Sequence, residues 1–149
     1  MTVEPFPIKL LRLRPDARLP VRATPEASGF DLYACLPTPG YVDLSRHPIP
    51  VPTGIALEAP FGVDVQIRPR SGLSARGVGV TLGTIDADYR GELLVTMYLF
   101  GAHDTHRIAH GDRIAQLVFS RLAPVDLVEV EVLSATDRGD GGHGSTGLR

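Results

Sequence analysis

The run Gly83-Thr-Ile-Asp-Ala-Asp-Tyr-Arg-Gly91 sets two carboxylates, Asp86 and Asp88, and the Tyr89 ring in a turn-forming stretch between two strand-like segments. A carboxylate positioned there can serve as a general base, although a hairpin with acidic turn residues fits the same residues equally well. A second run, Arg68-Pro-Arg-Ser-Gly-Leu-Ser-Ala-Arg76, brings Arg70, Ser71 and Gly72 to the point where a strand gives way to a short helix. Free amides at such a start favour an anion, and a guanidinium can grip phosphate oxygens at two points. It is not a Walker loop, because the chain has no Gly-x-x-x-x-Gly-Lys-[Ser/Thr] and its one lysine is Lys9.

Three further segments carry polar groups in an unusual company. Ala27–Ala34 leads Asp31 into an apolar run; taken alone, such an acid more often serves a turn or a cap. In Gly111–Phe119, strict alternation places Arg113 and Ala115 on one face and Ile114 and Gln116 on the other, so a glutamine shares the apolar side. Beyond Ser134 the chain turns glycine-rich, and Arg138, Ser145 and Thr146 bring donors to a backbone able to turn successive N–H groups toward one anion. The plainer reading of that tail is a mobile terminus. His103, His106 and His110 invite a metal, but they fall in a loop and a short strand where helical spacing does not apply, and they read as solvated. Cys35 has no basic sequence neighbour to activate it and reads as a small core residue.

The elements that would position these groups are short strands. Period-two alternation recurs at Ile8–Leu13, Phe30–Cys35, Gly54–Glu58, Val63–Ile67, Glu92–Phe100, Asp112–Phe119 and Val125–Val132, separated by Gly- and Pro-rich punctuation. Ser71–Arg76 alone offers a helix, of one or two turns. The expected class is all-β: a sandwich, jelly roll or small barrel with one short helix. We expect one domain over 1–134 ending in a strand at about 125–133, and a flexible arm over 135–149. With 15 basic residues against 17 acidic, the formal charge of -2 argues against a nucleic-acid polymer and for a small ligand. No apolar run approaches the ~18 residues of a membrane span. The start, Met-Thr-Val-Glu-Pro-Phe-Pro, lacks the features of a secretory signal and the chain has one cysteine, so an intracellular, cytoplasmic setting is expected.

In this order the five segments resemble the five motifs of the trimeric deoxyuridine triphosphatases, the dUTPases. The match rests on Gly29-x-Asp31-Leu32, Pro69-Arg-Ser-Gly-Leu73, Gly83-x-Ile-Asp86-x-x-Tyr89-x-Gly91, Gly111-Asp-Arg-x-Ala-Gln116 and Arg138-Gly-x-Gly-Gly-x-Gly-Ser-Thr-Gly147. The resemblance implies a β-clip or distorted jelly-roll barrel and a homotrimer with sites between subunits. It also implies Mg²⁺-dependent hydrolysis of dUTP to dUMP and pyrophosphate, which keeps uracil out of DNA and supplies dUMP for thymidylate synthesis. On it, Asp86 activates the attacking water and meets the sugar 3′-hydroxyl, and Tyr89 packs on the deoxyribose. Arg70, Ser71 and Gly72 hold the phosphates with Gln116 in support, and Asp31 meets waters around the metal. Backbone groups of the Val80–Ile85 hairpin, Thr84 and Ile85 among them, read the uracil edge. Arg138, His143, Gly144, Ser145 and Thr146 close over the ligand.

Two departures stand out. His143 replaces the usual Phe, which implies a lid that weakens when the imidazole charges below about pH 6.5; His143→Phe should then remove that pH dependence from the dUTP KM. Val80 replaces a common Asn, which leaves base recognition to the main chain. A dCTP deaminase of the same fold would carry a catalytic Glu where this chain has Thr96. A non-catalytic trimeric scaffold would be expected to have lost Asp86, Ser71 or the tail, and all are present.

Overall fold

Proline and glycine cut this chain into strands of three to six residues, with one exception. The computed structural model describes residues 5, 7–102 and 104–142. In chain order the strands are β1 Lys9–Arg12, β2 Phe30–Tyr33, β3 Tyr41–Leu44, β4 Ile49–Pro52, β5 Ile55–Glu58, β6 Val63–Arg68, β7 Val78–Val80, β8 Gly83–Ile85, β9 Leu94–Leu99, β10 His106–Ala109 and β11 Arg113–Arg121. Between β6 and β7 lies α1, Ser71–Ser74. At four residues it is a single turn, shorter than the stretch expected to 76, and contributes little dipole.

All pairings are antiparallel. The sheet that carries the site groups runs β2-β11-β6-β8, a second runs β4-β9-β7, and β1-β5 and β10-β3 form two-stranded ribbons. None of these sheets closes on itself, so the expected barrel is an assembly of open sheets packed like a jelly roll. Their inner faces share one apolar core, in which Leu32, Ile55, Val65, Leu93, Val95 and Leu117 are fully buried. At about 25 cal/mol per Å², that burial is the main force holding the layers together.

Five strands lie outside the alternating segments read from the sequence. Pro50 and Pro52 sit inside β4, which is tolerated because β4 is an edge strand, paired only to β9. β3 and β10 pair only with each other, and β7 and β8 are three residues long. Conversely, Val125–Val132 forms no strand within the chain. Val125, Leu127 and Val132 are 79%, 94% and 82% exposed, because no described sheet edge of this chain comes alongside to complete the ladder. The strand expected at about 125–133 is therefore absent from the isolated chain.

Candidate active site

At one end of the central sheet, Asp31 on β2 is nearly buried, with a side chain 12% exposed, and it faces two arginines. Arg70 Nε lies 3.2 Å from Oδ1 and the Arg113 guanidinium lies 3.4 Å from Oδ2. Arg70 also donates to the Arg113 backbone carbonyl at 3.0 Å. One carboxylate between two guanidiniums leaves the patch with an excess positive charge, which suits an anion with several oxygens. Gln116 stands in register with Asp31 on one side and Arg68 on the other, and its amide nitrogen donates to the Pro69 carbonyl at 3.0 Å. It thereby anchors the segment that leads into Arg70, Ser71 and Gly72.

Gln116 is not on the face that strict alternation predicts. The β2–β11 register shifts between Arg113 and Ala115, and Ile114 and Ala115 are both fully buried. The bulge adds one residue to the strand, so Arg113 and Gln116 turn to the same side, toward Asp31. Gly29 completes the corner, because a Cβ there would collide with the Gln116 carboxamide. Neither the bulge nor the Arg113–Asp31 pair has a local signal, since the partners are 82 positions apart.

The Asp86 hairpin lies elsewhere. Antiparallel pairing sets Val65 against Ile85 and Ile67 against Gly83, so Asp86 follows β8 toward the beginning of β6. Asp86 is exposed between two cavities. One, of about 180 Å³, is lined by Thr84, Ile85, Asp86, Tyr89, Glu92 and Leu94. The other, of about 610 Å³, has Asp64, Asp86 and Asp88 on its wall beside the wholly exposed Phe61. The Tyr89 amide donates to the Asp86 carbonyl at 3.0 Å, which curls the turn and sets the ring at the edge of the smaller cavity. Arg70 stands two residues beyond the other end of β6, whose four steps from the Asp86 level to Arg68 span about 13 Å at ~3.3 Å per residue. Each chain thus presents a carboxylate-and-ring pocket at one end of β6 and an arginine cradle at the other.

Arg138 folds onto its own turn, donating to the Gly141 carbonyl at 2.8 Å, and among the described residues no side-chain hydrogen bond or ion pair joins it to either half. His143, Gly144, Ser145 and Thr146 lie outside the described residues. Among the described residues, Asp16, Cys35 and His110 form a compact group of ligand-type atoms, all within 4.8 Å of one another. It is a poor cation site. His110 Nδ1 accepts the Leu36 N–H at 3.1 Å, so the neutral ring carries its proton on Nε2, the atom facing Asp16. A metal needs a free ring lone pair, and none is left. Asp16 is already gripped by Arg14 at 3.1 and 2.9 Å, which holds its carboxyl down at about 2. Burial pushes the Cys35 thiol up, so it stays a neutral core group.

An all-β frame with a two-arginine cradle, a cradle-supporting amide and a separate carboxylate pocket defines a protein that handles a phosphorylated small ligand. The chain belongs to the dUTPase family, whose model matches residues 16–147. A protein of Anaplasma marginale named deoxyuridine 5′-triphosphate nucleotidohydrolase is 46% identical, with 94% of this chain and 97% of the relative covered. One of the same name from Syntrophotalea carbinolica is 49% identical, with 95% and 97% covered. The dUTPase of Staphylococcus bacteriophage 80alpha with dUPNHPP superimposes with a TM-score of 0.82 at 26% identity, covering 95% of this chain and 99% of that one.

Proposed function

We propose that the protein hydrolyses dUTP to dUMP and pyrophosphate as a homotrimer, with each active site shared between subunits. The observation that carries this reading is the pocket of Thr84, Ile85, Asp86 and Tyr89, a ring wall with a carboxylate at its edge, on a chain of this family. Tyr89 packs on the deoxyribose, while main-chain groups of the hairpin around Thr84 and Ile85 meet the uracil edge. Asp86 takes a proton from a water aligned behind the α-phosphorus; the new P–O bond forms as the bond to the bridging oxygen breaks, and pyrophosphate leaves. Arg70, with the Ser71 and Gly72 amides that lack an intrahelical acceptor, holds the phosphates, and Gln116 keeps that cradle in place. Arg138, His143, Gly144, Ser145 and Thr146 close over the ligand and exclude bulk water.

The placement of Asp86 and Arg70 at opposite ends of β6 supports the shared site, since each chain presents the two groups apart from one another. A neighbouring copy brings its own cradle to this chain's hairpin. The unpaired Val125–Val132 segment supports the same assembly, having an apolar edge to bury.

Mg²⁺ fits the donor set as an ion held by phosphates and water. Asp31 is a hard oxygen ligand, but its two arginine partners leave it the outer-sphere role. When bound, the ion would neutralise charge developing on the phosphate oxygens. A solved phage phi11 dUTPase, 24% identical and alike in fold, has a structural Mg(II) ion by its own description.

No described helix is long and apolar enough to cross a membrane, and the one cysteine is free and buried. Pyrophosphate release measured across the deoxynucleoside triphosphates with Mg²⁺ tests the reading. dUTP should exceed every other substrate, whereas ammonia release from dCTP would indicate a deaminase instead.

A further inference from the structure

The Tyr89 ring is fixed at two points. It lies against Gly91, where a Cβ would collide with the ring, and its hydroxyl donates to the backbone carbonyl of Glu92 at 3.0 Å. Glu92 is held in turn from the opposite side. Its carboxylate accepts the Gly54 N–H at 2.7 Å. The next residue is tied to the same turn: Thr53 Oγ1 donates to the Leu93 carbonyl at 2.7 Å, and the Leu93 N–H donates to the Ile55 carbonyl at 2.8 Å. That turn cannot easily shift. Thr53 is fully buried, and Gly54 adopts φ +68 with Ala17 and Cys35 packed so closely that no side chain fits. Glu92 also lines the small cavity with Asp86 and Tyr89.

We propose that Glu92 is a positioning residue that sets the sugar selectivity of the site. Its carboxylate, fixed on Gly54, holds its own main-chain carbonyl, and that carbonyl holds the Tyr89 hydroxyl. The ring wall is thereby kept close enough to reject a ribose 2′-hydroxyl. Rigidity is what the discrimination needs, because an apolar wall free to yield rejects an added hydroxyl only weakly. The proposal rests on the reading of Tyr89 as the sugar wall.

Steady-state hydrolysis of dUTP and UTP, followed by pyrophosphate release, tests it in six variants. Glu92→Ala should lower the dUTP-to-UTP ratio of kcat/KM about tenfold, chiefly by raising dUTP KM and admitting UTP. Glu92→Gln keeps a carbonyl oxygen for Gly54 and should hold the ratio within about threefold of wild type. In a Tyr89→Phe background, Glu92→Ala should cost no further selectivity, the hydroxyl contact being gone already. Glu92→Met, of similar length without an acceptor, repeats the test if the alanine variant does not fold. The proposal is overturned if the acceptor-less variants keep the wild-type ratio, if they slow both substrates equally, or if the loss is undiminished beside Tyr89→Phe. Tyr89→Ala separates the two levels. An unchanged ratio there removes the sugar-wall reading and this proposal with it, whereas a lowered ratio beside an unaffected Glu92→Ala removes the proposal alone.

Discussion

Among single residues, Asp31 shows how a role changes once its neighbours are known. Motif position alone puts it beside a metal, but the folded chain sets it between Arg70 and Arg113. Its first task is to orient two cations that would otherwise repel each other. Arg113→Ala should therefore loosen Arg70 and raise the dUTP KM by about tenfold while kcat changes less, a split that steady-state kinetics resolves. The Arg14–Asp16 pair makes a different prediction. Arg14 lowers the Asp16 carboxyl from its ordinary 3.8 to about 2, so the pair's contribution to stability is complete above about pH 4 and is lost as the pH falls toward 2. Thermal melts between pH 7 and pH 2.5 should show a smaller acid loss for Asp16→Asn than for wild type. Asp31, Arg70, Asp86 and Gln116 were singled out by the motifs they sit in. Their pairings were not, because Asp31 meets arginines 39 and 82 positions away.

Elements supply what the residues cannot. The bulge in β11 turns Gln116 toward the cradle, and Gly29 leaves room for its amide. Gly29→Ala should cost about 1–3 kcal/mol through overpacking and weaken dUTP binding by pushing Gln116 off the Pro69 carbonyl. Thr53 stabilises the Tyr89 side in the same way. Thr53→Val would leave the Leu93 carbonyl and the Ile55 N–H without their hydroxyl partner, at a cost of about 1–3 kcal/mol, and calorimetry should show the melting temperature fall by about 3–10 °C. Alternation correctly marked β1, β2, β5, β6, β9 and β11; β6 and β9 divide between core and solvent, whereas β1 is exposed along its length and Ile55, Ala56 and Leu57 of β5 are all buried. It failed where pairing rather than patterning decides: β4 carries prolines on an edge, and β7 and β8 are too short to show a period. The most regular pattern of all, Val125–Val132, finds no strand partner among the described residues.

For the whole molecule, the important fact is the length of β6 between the two half-sites. On the proposed reading, a chain that carries Asp86 and Tyr89 at one end of β6 and Arg70 at the other is incomplete alone; the motifs implied a site between subunits, and the pairing of β6 with β8 adds which groups lie at which end. In the homotrimer we propose, three-fold symmetry would join unlike surfaces head to tail, so every copy would lend its cradle to one neighbour and its hairpin to the other. The most direct test mixes two inactive variants, Asp86→Asn and Arg70→Ala, by co-refolding, with pyrophosphate release from dUTP as the readout. Each mixed trimer regains one intact site, so an equal mixture should recover about a quarter of wild-type activity. A mixture as inactive as its parents, with mixed trimers verified by mass, would contradict the shared site and the roles given to both residues.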